Sequence, residues 1–202
     1  MNALIRRWGL SLWLCLASST AFAFDTQQLA QLLNQPRSIH GQFEQQRHLK
    51  SLSKPLSSQG QFTLVPKKGL LWQMHSPLQS TLKVSPNGIS QRNAQGQWLP
   101  SRQNSSAQQQ VRLFLDLLGG NTEGLQRQFD LRLSGNANNW QLQLLPKSTV
   151  LKQVFNRIDI RGNQLVRQIE LSEAQGDKTI IRFNSIKTNQ PFTALERDAL
   201  AP

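Results

Sequence analysis

Apolar residues recur at every second position through most of this chain. Ile39, Gly41 and Phe43 alternate with His40, Gln42 and Glu44, and Gly60, Phe62 and Leu64 with Gln61 and Thr63. Phe129, Leu131 and Leu133 alternate with Asp130 and Arg132, and Trp140, Leu142 and Leu144 with Gln141 and Gln143. Successive side chains of a strand point to opposite faces, so this period predicts strands with one apolar and one polar face. Shorter runs with the same character cover 70–74, 81–84, 89–92, 97–99, 157–161, 165–173 and 178–186. Turn signals separate them at Pro66-Lys67-Lys68-Gly69, Pro86-Asn87-Gly88, 93–96 and 135–139.

Three stretches and the tail switch to a helical period. Residues 25–35 carry Leu29, Leu32 and Leu33 on one side, with Asp25 or Thr26 as the cap and Pro36 as the stop. Residues 105–118 place Val111, Phe114, Leu115 and Leu118 on one face, ended by Gly119-Gly120 and followed by a loop over 121–124. Residues 148–155 predict a short third helix with Val150, Leu151, Val154 and Phe155, and the tail is helical over 193–200. Strands with one wet face belong to antiparallel sheets. The expected fold is mainly β with an α lid: an open antiparallel half-barrel of about eleven strands, its concave side covered by two or three helices.

The N-terminus changes the compartment. Arg6 and Arg7, an apolar stretch over 8–17 and Ala21-Phe22-Ala23 read as a cleavable signal peptide over 1–23. The apolar stretch is too short to span a bilayer. One domain over 24–202 is then expected, soluble in the periplasm of a Gram-negative cell. Its 179 residues suffice for a good core without staples, burying about 70% of the surface the unfolded chain exposes. The single cysteine, Cys15, lies inside the signal, behind a Leu12-Trp13-Leu14 too bulky for a lipid-acceptor site, so the cleaved chain has no disulfide or thiolate chemistry.

Removing Arg6 and Arg7 leaves 21 basic against 11 acidic residues. Outside the cytoplasm such a balance points away from nucleic acid, and toward anionic lipid head groups, an acidic protein or simple solvation of the outer face. Candidate chemistry is thin. His40, His48 and His75 have no metal-ligand spacing, and neither G-x-S-x-G nor a P-loop occurs. Glu44, Asp116 and Asp159 fall at solvent-facing positions of the pattern rather than as an acid–base pair. Neither an enzyme nor a cofactor is expected.

The order of elements resembles the LolA family of periplasmic lipoprotein carriers. The resemblance rests on Phe43-Glu44-Gln45, Gly60-Gln61-Phe62-Thr63-Leu64, Gly69-Leu70-Leu71-Trp72 and Pro77, then the helix around 111–118 and Trp140 to Lys147 before a short helix and three strands. It covers about residues 25–188. It implies a hydrophobic cavity under a helical lid, and a monomeric carrier that takes acylated lipoprotein from an inner-membrane exporter to an outer-membrane acceptor. Face assignment makes Phe43, Phe62, Leu70, Trp72, Leu82, Leu131, Trp140 and Leu142 the candidate lipid-binding cavity, and Leu32, Leu33, Phe114 and Phe155 the lid side. Family members carry an Arg-Pro step before the L-x-W strand whose arginine holds the lid closed. Here no arginine matches, and Lys67 and Lys68 are the candidate latch or partner contact. Lysine lacks the planar fork of arginine. A non-protein lipid, glycolipid or polyene is therefore the alternative cargo, with a lipid-free protein-binding module of the envelope and a hydrolase of unassembled residues as further readings.

Overall fold

The structure is a computed structural model that describes residues 24–101, 115, 116 and 118–200. The expected signal peptide, Val111 and Phe114 lie outside the described residues.

Eleven strands form one antiparallel sheet: β1 Ile39–His48, β2 Leu56–Val65, β3 Gly69–Ser76, β4 Ser80–Ser85, β5 Gly88–Arg92, β6 Trp98–Pro100, β7 Phe129–Asn136, β8 Asn139–Pro146, β9 Phe155–Gly162, β10 Val166–Glu173 and β11 Lys178–Thr188. Their order is β6-β5-β4-β3-β2-β1-β11-β10-β9-β8-β7. Each half is a meander of short hairpins, and the chain's return brings β11 beside β1 to join them. The join is irregular: the β1–β11 register shifts between His40 and Gln42, where Ser185 takes a φ of 51°. Among the described residues β6 and β7 pair on one side only, and the sheet is an open half-barrel, as the alternation predicts.

The alternation aligns across strands as well as along them. Leu133, Leu142, Ile160, Ile169 and Ile181 stand directly opposite one another, as do Leu131, Leu144, Ile158 and Leu171. In the other half Leu64, Leu70, Val84 and Ile89 make a third row. Residues of all three rows belong to a single apolar cluster. Each fully buried Leu, Ile or Phe contributes about 1.5–3 kcal/mol relative to exposure, which makes this face the main driving force for folding.

Four helices are described: α1 Thr26–Asn34, α2 Thr122–Gln128, α3 Thr149–Lys152 and α4 Ala194–Leu200. α1 starts in a capping box, with Gln28 N donating to Asp25 Oδ1 (2.8 Å) and Asp25 N to Gln28 Oε1 (3.1 Å). Its Leu29 and Leu33 are buried in the inner cluster. α2 corrects the loop expected over 121–124. Gly120, at φ 65°, ends the preceding helical residues, and Asn121 then caps a new helix by accepting from Gly124 N (3.1 Å). Glu123 in its first turn and Arg127 in its last complement the helix dipole. Phe155 is a second correction: it opens β9 rather than ending α3.

α4 packs on the opposite, outer face. Leu200 joins Val65 and Leu71, with Trp98, Phe192, Leu195 and Ala199 around them. Its cap is a second capping box, Thr193-x-x-Glu196: Thr193 N donates to Glu196 Oε2 (2.7 Å) and Glu196 N to Thr193 Oγ1 (3.3 Å).

Candidate functional site

The inner face of the central strands carries an aromatic cluster. Phe43 and Trp72 stack with ring centroids 3.6 Å apart, Phe62 meets Phe183 edge-on at 5.1 Å, and Trp72 meets Phe183 edge-on at 6.4 Å. Two glycines make the space. Gly60 stands opposite Phe43, and a Cβ there would lie 2.8 Å from the Phe43 ring; one on Gly41 would lie 2.7 Å from the Phe62 ring. The spacing of Gly41 to Phe43 and Gly60 to Phe62 is thus a packing device in which each ring covers the glycine of the neighbouring strand.

The remaining candidate cavity residues divide by burial. Phe43, Phe62, Leu70, Trp140 and Leu142 are buried, whereas Trp72, Leu82 and Leu131 are half-buried. Trp140 packs its ring against Gly162 and donates its Nε1–H to the Asn163 carbonyl. Of the lid candidates, Leu33 is buried and Leu32 half-buried against the core from α1, while Phe155 is buried at the start of β9.

Lys67 and Lys68 lie in the β2–β3 turn, between Phe62 and Trp72 of the aromatic cluster. They line an open cleft of about 860 Å³. One wall is the β2–β3 turn with Gly69 and Pro86; the other is Ala30 and Asn34 of α1 with Leu115, Asp116, Gly120, Glu123 and Arg127. The lining is mixed, with Leu64 among the apolar residues and charges of both signs. Lys67 sits at φ 65°, a left-handed conformation that a lysine adopts at a cost. Asn34 donates through Nδ2 to the Ala30 carbonyl (2.8 Å), while its Oδ1 is buried without a hydrogen-bond partner among the described residues.

A polar constellation absent from the sequence reading lies beneath α4. His40 Nδ1 is 3.0 Å from Glu196 Oε1, and His40 Nε2 is 3.2 Å from Ser38 Oγ. The Thr63 hydroxyl donates to the same Glu196 oxygen at 2.5 Å. Burial pushes the Glu196 carboxyl up. Hydrogen bonds from Thr63 and Thr193, with the His40 imidazole alongside, outweigh that and hold it below the ordinary 4.5. An ionised carboxylate only accepts, so His40 donates to Glu196 through Nδ1, leaving Nε2 facing the Ser38 hydroxyl. The order Ser–His–Glu has the connectivity of a hydrolase triad. Ser38, however, is only 3% exposed and does not line the cleft. The constellation fastens α4 to the sheet. The signal for it was present in Thr193-x-x-Glu196; that His40 and Thr63 would meet that glutamate depended on strand pairing.

Asp159 also departs from expectation. It is buried on the outer face, held by Arg157 Nε (2.6 Å) and Gln143 Nε2 (3.2 Å), rather than solvent-facing. Among the described residues no three His, Cys, Asp or Glu side chains gather to hold a metal ion, and no helix is long and apolar enough to cross a membrane.

The family model described as outer membrane lipoprotein carrier protein LolA matches residues 34–196. No curated protein matches the chain. Among solved structures, MucB is similar at 15% identity and a TM-score of 0.51, covering 86% of this chain and 60% of that one. The Pseudomonas aeruginosa MucA/MucB complex is similar at 14% identity and a TM-score of 0.50, covering 83% and 57%. A LolA superfamily protein from Nitrosomonas europaea is similar at 8% identity and a TM-score of 0.49, covering 84% and 96%. This chain therefore spans somewhat over half the length of the MucB chains, and at these identities the likeness is one of fold.

Proposed function

This chain belongs to the LolA family, and from that premise we propose that it is a periplasmic carrier that shields acyl chains against the inner face of its half-barrel. The observation that carries the reading is the inner face itself: an open sheet bearing three apolar rows and an aromatic cluster, with Trp72, Leu82 and Leu131 of that face only half-buried. Each buried methylene contributes about 0.8 kcal/mol, so an acyl chain crosses water only inside such a shield. Shielding needs no directional chemistry, in keeping with a non-catalytic role.

In this reading the cargo contacts Phe43, Phe62, Leu70, Trp72, Leu82, Leu131, Trp140 and Leu142. Leu32 and Leu33 of α1 belong to the lid with Phe114, and Phe155 belongs to the wall. The two lysines latch the cleft: Lys67 or Lys68, across it from α1, does the work of the family's arginine with a single ammonium. Lipoprotein acyl chains are the leading cargo, with delivery from an inner-membrane exporter to an outer-membrane acceptor. The missing arginine favours a non-protein lipid, glycolipid or polyene as the second. The MucB likeness and the β7 edge, paired on one side only among the described residues, support a third reading, a lipid-free module that binds a partner protein by adding a strand.

The test is purification from the periplasm without detergent, followed by mass spectrometry of co-purifying hydrophobic material. Stoichiometric acylated peptide identifies a lipoprotein carrier; a glycolipid, phospholipid or polyene keeps the carrier and changes the cargo. Replacing Trp72 with glutamate should abolish binding of a fluorescent acyl probe while the thermal transition persists. No bound lipid, together with no probe binding by the unaltered protein, refutes the carrier reading and leaves the protein-binding module.

A further inference from the structure

The turns of a meander fall alternately on two rims. The connections 49–55, 77–79, 93–97, 147–154 and 174–177 lie on one, and 66–68, 86–87, 137–138 and 163–165 on the other. The two rims differ in kind. Among the described residues five large apolar side chains are strongly exposed. Four of them, Leu52, Leu56, Leu78 and Val150, sit on the first rim, with Leu78 73% and Val150 63% exposed. The fifth, Leu99, is on the edge strand β6. Leu56 and Leu78 both lie beyond the last β2–β3 pair, Gln59 with Ser76, where the two chains run on into the rim.

Charge on this rim is uneven. Lys50, Lys54, Lys147 and Lys152 stand between the apolar tips, all exposed. The nearby carboxylates are engaged: Glu173 by Arg47 at 3.8 Å, Asp130 by Lys147 at 3.4 Å, and Asp177 by the Lys50 backbone N–H at 2.9 Å. Lys54 and Lys152 have no ion-pair partner among the described residues.

We propose that this rim docks the protein onto an anionic lipid bilayer, with Leu52, Leu56, Leu78 and Val150 entering the head-group region and the lysines meeting the phosphates. Separate apolar tips with lysines between them suit a fluid interface, which admits each tip on its own and attracts each cation. The core of a protein interface is contiguous, closely packed and depleted of lysine, and this rim is none of these. Docking here leaves the cleft at the opposite rim facing water.

The experiment is vesicle flotation of the chain purified from the periplasm. It binds vesicles of phosphatidylethanolamine with phosphatidylglycerol, binds phosphatidylcholine vesicles far less, and is released as salt rises. The double variant Leu52→Ser, Leu78→Ser weakens partition by roughly a hundredfold, about tenfold per leucine. Because these side chains are exposed, the thermal transition stays in place. Should that variant not fold, Lys54→Gln with Lys152→Gln is the independent check and lowers binding to the anionic vesicles alone. Absence of flotation at low salt, or unaltered flotation by both variants, overturns the proposal, as does a rim that captures a protein but no vesicle. Flotation requires no cargo: a chain that floats without carrying lipid refutes the carrier reading alone, and one that carries lipid without floating refutes the docking alone.

Discussion

Gly60→Ala is the most demanding test of the inner face, because one methyl group is set against a specific arrangement. Gly60 lies where β2 crosses between Phe43 and β3. A Cβ there falls 1.9 Å from the Gln73 carbonyl oxygen and 2.8 Å from two atoms of the Phe43 ring. The Phe43 ring can turn away, at the expense of its stack on Trp72, worth about 0.5–1.5 kcal/mol. The Gln73 oxygen belongs to the backbone and is about 1 Å too close. Relief requires β2 and β3 to part locally, weakening roughly two ladder hydrogen bonds at about 1 kcal/mol each. Alanine returns about 0.4–1 kcal/mol by restricting the unfolded chain. The net expectation is a loss of about 2–3 kcal/mol, which for a urea slope near 2 kcal/mol per molar moves the midpoint down by about 1–1.5 M. Circular dichroism in urea reads the midpoint, and tryptophan fluorescence reads the Phe43–Trp72 stack. A midpoint shift worth less than about 0.5 kcal/mol would refute the reasoning, since that is the scatter of an ordinary surface substitution.

Acid should loosen α4. The Glu196 carboxyl is held below its ordinary 4.5, so its contribution is complete above that pH and is lost as pH falls through the lowered value in the folded protein. Melting temperatures from pH 6 to pH 3 should decline more steeply for the unaltered protein than for Glu196→Gln, and parallel declines would contradict this. At pH 7 the glutamine variant should be about 2 kcal/mol less stable, through loss of the charged acceptor for Thr63, Thr193 and His40. Lys67→Gly removes a left-handed lysine and should stabilise the fold by up to about 1 kcal/mol in urea unfolding, while weakening acyl-probe retention if Lys67 is the latch. Stabilisation with retention unchanged would transfer that role to Lys68.

Much of the architecture was legible because strand periodicity is local. The alternations around Phe43, Phe62, Leu131 and Leu142 told which side chains share a face, and the turns at Pro86-Asn87 and 93–96 told where each hairpin reverses. The helix at 25–35 was equally legible from Asp25 and its leucines. α2 was not, because Gly119-Gly120 and the polar residues after them read as loop, and its cap depends on a single Asn121 side chain. Asp159 looked solvent-facing for a related reason. Alternation puts it on the outer face correctly, but its burial depends on Arg157 two residues away on the same strand and on Gln143, which approaches only because β8 lies beside β9.

What the sequence determined by itself, then, is everything carried by neighbours a few residues apart: strands, turns, caps, the apolar face and the basic balance. What only the tertiary structure decided is which distant residues meet. No pattern in the chain says that β11 returns to β1, that Glu196 closes over His40 and Thr63, or that Lys67 and Lys68 face α1 across a cleft. Nor does any local signal place Leu52, Leu78 and Val150 on one rim; that follows from strand order. Order is settled by the free energy of closing the whole apolar surface on itself, a sum over long-range contacts that no short window of sequence contains.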